Sequence, residues 1–220
     1  SWAFEHLSKN IRDDPKLEDV VKEGLKLSNQ ALKTINDLLD ITKMEQGQFG
    51  YKFNPADLTG FIKEILARFE PIANAYKVGL NFIAPAENYT VTIDTQRLGI
   101  ALANLIDNAI KYNIKNGSID ISVNHLQDTP FVKINVTDTG VGVPAEEIKK
   151  LFTKFYRGKN VIQLEPNGSG MGLFMTRNII QRHGGKIGLE STAGRGTTFW
   201  FTLPLNPDLI PTKEIIYEET

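Results

Sequence analysis

No cysteine occurs among the 220 residues, which excludes disulfides and thiolate metal sites and fits a reducing compartment. An excess of charge is also missing: 25 Lys and Arg face 26 Asp and Glu, a formal net charge of −1. General affinity for nucleic acid or anionic lipid therefore has no chain-wide basis. No apolar run reaches the ~18 residues needed to span a bilayer, and no signal peptide is visible. Histidine is scarce, with 3 copies at His6, His125 and His183. What is present is 41% hydrophobic and 23% charged residues, the balance of a chain that folds around a packed core in water. The opening residues, SWAFEHLSKN, start inside a helical pattern with no start signal, so the chain reads as part of a longer protein.

Two regions differ in period. Val21, Leu25, Ser28, Leu32, Ile35, Leu39 and Thr42 follow a seven-residue repeat, a narrow seam suited to another helix. Residues 1–12 read as a preceding helix, with DDPK as the breaker and Pro15 placed for a helix start. Such a hairpin buries too little apolar surface alone, so it is expected to pair as a dimeric four-helix bundle. The other arrangement left open is a hairpin docked on the rest of the chain. Beyond the turn at 46–50, the spacing predicts helices over 56–75, 95–113, 145–151 and 171–183. Strands are predicted over 78–84, 89–94, 118–124, 131–138, 185–191 and 197–205. The class is therefore α+β, with helices on one face of a sheet. Three segments are expected: a hairpin over 1–48, a domain over 49–205 and a flexible tail over 206–220.

Three elements carry candidate chemistry. Around NLIDNAIKYN (104–113), the helix over 98–112 aims Leu98, Leu102, Leu105 and Ala109 at the core, while Asn104, Asn108 and Lys111 share a neighbouring stripe with Tyr112 beyond. An Asn carbonyl is a neutral hard ligand for Mg²⁺, and Lys111 can neutralise a phosphate; a plain solvated face is the alternative. In FVKINVTDTGVGVP, Asp138 shares parity with Val132, Ile134 and Val136, so a carboxylate is aimed at the buried side. Gly140 and Gly142 follow and let a flat ligand approach the backbone. The exocyclic amine of adenine would suit that acceptor, whereas an Asp opening a tight turn is the simpler account. A DTG also occurs in aspartic proteases, but those need two such carboxylates, and here the stripe and the glycine loop would have no role. The third element, PNGSGMGLFMTRNII, alternates Gly168, Gly170 and Gly172 just before a helix, an arrangement that offers backbone N–H groups to an anion. It is neither a Walker A loop nor a Rossmann fingerprint, and the protein-kinase motif set is absent.

In this order, and with FTKFYRG (152–158) between the second and third, the elements are far more specific than any one alone. The chain resembles the sensor histidine kinases of two-component signalling and their ATP-binding fold, shared with gyrase, Hsp90 and MutL-type ATPases. NLIDNAIKYN resembles the N box, DTGVGV the G1 box, FTKFYRG the F box and GSGMGL the G2 box. INDLLDITKMEQGQF is similar to the second dimerisation helix. The resemblance runs from residue 1 to about 205. It implies a two-layer α/β sandwich that binds ATP and Mg²⁺, with Asn108 holding the metal and Asp138 reading adenine beside Gly140 and Gly142. Lys111, Tyr112 and Arg157 would contact the nucleotide, Arg157 toward the transferring phosphoryl. Gly168, Ser169, Gly170, Met171, Gly172 and Leu173 would flank the phosphates, with 157–170 as a lid and Thr197 lining the site. Hydrolysing relatives generally place a glutamate where Asn104 stands. An amide cannot take a proton from water, so the resemblance points to phosphoryl transfer, with Asn104 in a catalytic role. It further implies a cytoplasmic homodimer whose partner is a response regulator receiver domain, with no nucleic acid or membrane contact by this segment. The family's S-H-E-x-R-T-P-like acceptor motif is missing, so the acceptor histidine is expected upstream of Ser1 and the parent could be membrane-anchored there.

Overall fold

The computed structural model describes residues 15–162, 164–165 and 168–212. The expected first helix and His6 lie outside the described residues. The chain divides into two compact units, residues 1–43 and 44–220. In the first, the seven-residue repeat forms helix α1, Pro15–Glu45, which runs for 31 residues, about 46 Å at 1.5 Å per residue. Its seam residues Leu32, Ile35 and Leu39 are exposed.

The second unit begins with a strand that the pattern did not suggest. β1, Asn54–Asp57, contains Pro55 and pairs antiparallel only with β3, Thr90–Ile93. A two-stranded ribbon tolerates a residue without an N–H. Asp57 then caps helix α2, Leu58–Tyr76, by accepting from the N–H groups of Thr59 at 3.1 Å and Gly60 at 3.0 Å. Lys77 closes α2 in the left-handed region at φ 58°.

The main sheet has five strands in the order β2-β4-β5-β7-β6. These are β2 Gly79–Ile83, β4 Ser118–His125, β5 Phe131–Asp138, β6 Ile187–Ser191 and β7 Thr197–Pro204. Every neighbouring pair is antiparallel except β2 with β4, and the connection between those two holds helix α3, Thr95–Lys111. Short helices α4, Ala145–Ile148, and α5, Lys159–Ile162, interrupt the long stretch before helix α6, Gly172–Arg182. The α4 helix is shorter than its predicted span of 145–151, and α5 lies where only a loop was expected.

One sheet face carries the core. Ile119 and Ile121 of β4, Ile134 and Val136 of β5, and Phe201 of β7 are buried, as are Leu98, Leu102 and Leu105 of α3 and Ile179 of α6. The alternate residues form polar pairs: Asn81 donates to Asp120, Asn135 to Ser122, and Thr137 meets Thr198. This is a two-layer sandwich with one uncovered face, as period-two alternation requires. After β7, a 3-10 turn at Pro207–Leu209 begins the segment expected as a tail. Leu209 packs so close to Gly184 that a Cβ on that glycine would strike its carbonyl.

Candidate functional site

Asp94 starts α3 and fixes its direction. Its carboxylate accepts from Arg97 N–H at 2.9 Å and from Lys52 N–H at 2.6 Å. Its own N–H donates to His183 Nε2 at 3.1 Å, while His183 Nδ1 lies 2.8 Å from the Ile179 carbonyl. Nδ1 must carry the proton for both bonds to form. Burial holds the His183 pKa below its ordinary value, so the ring is neutral at pH 7 and serves as a fastener between α6 and α3. Tyr51 and Phe53 pack edge-on against it.

With that end pinned, α6 runs back along α3, and its start meets the polar stripe: Asn104 Nδ2 donates to the Gly172 carbonyl at 3.4 Å. A Cβ on Gly172 would sit 3.5 Å from the Asn104 amide, in ordinary contact. Gly170, at φ 69°, comes so close to the Phe155 carbonyl that no side chain fits. Phe155 itself is at φ 61° and exposed, an uncommon conformation for a bulky residue and a local cost that the loop around it sustains. Ser169 Oγ accepts from Met171 N–H at 3.4 Å. The Met171 side chain is buried, which leaves its backbone for the loop; Leu173 follows in the first turn of α6, half-buried.

The far end of α3 holds the acid's turn. The Tyr112 carbonyl accepts from Val141 N–H at 3.0 Å. A Cβ on Gly140 would collide with that same carbonyl, and one on Gly142 with the Thr192 carbonyl. These two glycines are therefore required by the protein's own backbone, whereas the sequence had suggested ligand approach. Asp138, at the end of β5, is buried, and its Oδ1 accepts from Gly140 N–H at 2.8 Å and Thr197 N–H at 3.2 Å. Oδ2 has no donor among the described residues. Burial raises the carboxyl pKa to about 6 against the pull of those two N–H groups.

Lys111 ends α3 and Tyr112 is its C-cap. Lys111 Nζ is 2.7 Å from Asp107 Oδ2, with both side chains partly exposed. Burial lowers the Lys111 pKa, but the hydrogen bond and charge of Asp107 outweigh it and the net shift is upward. Burial also raises Tyr112, against the charges of Arg157 and Lys111. Arg157 packs its guanidinium against Gly168 and donates to the Glu165 carbonyl. The Asn108 amide makes no hydrogen bond among the described residues, so its oxygen is available as a neutral ligand. No cluster of three or more His, Cys, Asp or Glu that could hold a metal occurs among the described residues. A hollow bordered by Asp138 is lined also by Thr137, Glu190, Ser191, Arg195, Thr197 and Thr198.

All three sequence elements thus converge: α3 touches the start of α6 through Asn104 and the Asp138 turn through Tyr112. The aromatic strap at 49–53, the His183 fastener and Ser191 were not found from the sequence. Only the alternation of Phe49, Tyr51 and Phe53 would have hinted at the strap.

Residues 93–207 match the family of histidine kinase-, DNA gyrase B- and HSP90-like ATPases. The chain belongs to that family. Like other histidine kinase-, gyrase- and HSP90-like ATPases it has the ATP-binding α+β fold. It is 30% identical over 179 residues to the sensor histidine kinase WalK of Bacillus subtilis (strain 168), covering 80% of this chain and 29% of the relative. It is 30% identical over 211 residues to the sensor protein GacS of Pseudomonas syringae pv. syringae, covering 92% and 23%. The chain therefore spans less than a third of these relatives. Among solved structures, the catalytic domain of histidine kinase ThkA matches with a TM-score of 0.63 at 30% identity, covering 72% of this chain and 99% of that one. ThkA in complex with the response regulator protein TrrA matches at 0.69 and 26% identity, covering 94% and 57%. No helix among the described residues is long and apolar enough to cross a membrane.

Proposed function

We propose that this chain is the ATP-binding catalytic part of a sensor histidine kinase. It moves the ATP γ-phosphoryl to a histidine, for relay to an aspartate on a response regulator. The observation that carries the reading is Asp138, a buried carboxylate with Oδ1 engaged by two N–H groups and Oδ2 without a donor. An acceptor left open on a mostly buried carboxylate is suited to a donor from a ligand, and the exocyclic amine of adenine supplies one.

Bound MgATP supplies the phosphoryl group, and the chain's residues hold and orient it. The Asn108 amide oxygen suits Mg²⁺, which keeps waters and phosphate oxygens as its other ligands. Lys111 remains a cation beside the end of α3 and neutralises phosphate charge. The Gly168–Gly172 loop and the α6 N-terminus present N–H groups to the phosphates. Arg157 is anchored at Gly168 and Glu165 and lies within reach of the same region. Asn104 has no basic atom with which to activate water, which favours transfer over hydrolysis, since transfer rests on positioning and charge neutralisation. His183 is no acceptor, because it is buried with both nitrogens engaged. The exposed Leu32, Ile35 and Leu39 of α1 support homodimerisation through a helical bundle. The ThkA–TrrA likeness supports a receiver-domain partner, and the reading places the chain in the cytoplasm.

Two measurements test the proposal. MgATP affinity is compared for wild type, Asn108→Ala and Asp138→Ala; both variants bind more weakly, and equal affinity in all three removes the site. The chain is then mixed with a dimerisation domain carrying an S-H-E-x-R-T-P-like histidine. Acid-labile phosphate on that partner is expected; its absence, with steady phosphate release that depends on Asn104, makes the protein an ATPase instead.

A further inference from the structure

Ser191 ends β6, far in sequence from every motif, yet its hydroxyl is a hub. Oγ lies 2.8 Å from the Gly196 carbonyl, 2.8 Å from Val143 N–H and 2.9 Å from Thr197 Oγ1. A serine hydroxyl has one proton and two lone pairs. The proton goes to the Gly196 carbonyl, so the Val143 N–H and the Thr197 hydroxyl must be the two donors. All of its capacity is used.

Those three partners surround Asp138. Gly196 and Thr197 form the turn whose Thr197 N–H binds Asp138 Oδ1. Val143 follows the Gly140–Gly142 turn whose first N–H binds the same oxygen. The two turns also meet where Gly194 N–H donates to the Val141 carbonyl at 2.8 Å. Ser191 therefore ties together the two backbone segments that hold Oδ1, and by fixing Oδ1 it fixes the direction of Oδ2.

We propose that Ser191 is a positioning residue for recognition of the purine 6-amino group, acting through the Thr197 and Gly140 N–H groups on Asp138. The proposal rests on the reading that Asp138 meets adenine. Its hydroxyl is fully engaged by Gly196, Val143 and Thr197; through them it sets how selectively the site distinguishes ATP from a purine triphosphate lacking the 6-amino group.

The test compares MgATP with purine riboside 5′-triphosphate on wild type, Ser191→Ala and Ser191→Thr. Because both ligands are measured on one preparation, any loss of folded protein cancels in the ratio of affinities. Wild type should prefer ATP by about tenfold or more, the worth of a hydrogen bond to a charged group. Ser191→Ala should bring the ratio close to one through weaker ATP binding alone, and Ser191→Thr, which keeps the hydroxyl, should restore it. A wild-type ratio in Ser191→Ala overturns the proposal, as does equal weakening of both ligands, which would mark a general role in shaping the pocket. Failure of the underlying reading shows earlier and separately, as a wild type that does not distinguish the two triphosphates.

Discussion

The Asp94–His183 pair and the Asp138–Asn108 pair, at the two ends of the antiparallel helices α3 and α6, differ in how completely they are matched. At the Asp94–His183 end, both carboxylate oxygens and both ring nitrogens have partners, and aromatic rings seal the joint. At the Asp138–Asn108 end, the second oxygen of the Asp138 carboxylate and the Asn108 amide remain without partners among the described residues. The Asp94–His183 pair holds helices in place, although Gln181 Oε1 and Arg182 Nε beside it are buried without partners among the described residues. The Asp138–Asn108 pair keeps unmet capacity on rigid elements, the condition for a binding site that need not reorganise.

The largest effect that would break this contrast concerns stability at the matched end. His183→Ala removes a fully buried ring and leaves the Asp94 N–H without its acceptor. It should cost about 3 kcal/mol in chemical denaturation, with the folded molecules still binding ATP. Lost binding at wild-type stability would invert the comparison. At the other end, Asp138→Asn should do the opposite. ATP affinity falls about 10- to 100-fold, because an amide N–H now faces the adenine amine. Stability holds or rises, since a buried charge is gone. Calorimetric titration and denaturation of the same variant check both halves.

The subtlest distinction is in pH. Burial pushes the folded pKa of Asp138 up to about 6, above its ordinary value of 3.8. Its contribution to stability is present below 3.8 and is lost as pH rises through 6. His183 is shifted down from 6.5 by burial, so its contribution is present above 6.5 and is lost on acidification below it. Asp138→Asn should therefore flatten the decline between pH 4 and 6, and His183→Gln the one that begins below 6.5. Curves that move in the same direction would show that the two groups do not differ in the way their surroundings require.

Much of the layout was legible from spacing. The strand over 131–138 has the predicted bounds, and its parity put Asp138 on the buried face because alternation is a local property. The α3 stripe was legible for the same reason. β1 was missed because four residues containing Pro55 carry no alternating signal and depend wholly on β3 for their hydrogen bonds. The parallel pairing of β2 with β4 was equally hidden, since strand direction belongs to the connection and not to the strand. The backbone's own need for Gly140 and Gly142 was not legible, because the neighbours that exclude a Cβ are the Tyr112 and Thr192 carbonyls, distant in sequence.

Composition, period and motif order thus established the class of fold, which faces are apolar, and which side chains have chemistry to offer, because these follow from each residue and its near neighbours along the chain. Which of those side chains remain unmatched was decided only when distant segments met. Asp94 and Asp138 are both buried acids before a helix or a turn, and nothing local separates them. Folding brings donors to both oxygens of one and to a single oxygen of the other, and that difference lies in contacts between residues far apart in the chain.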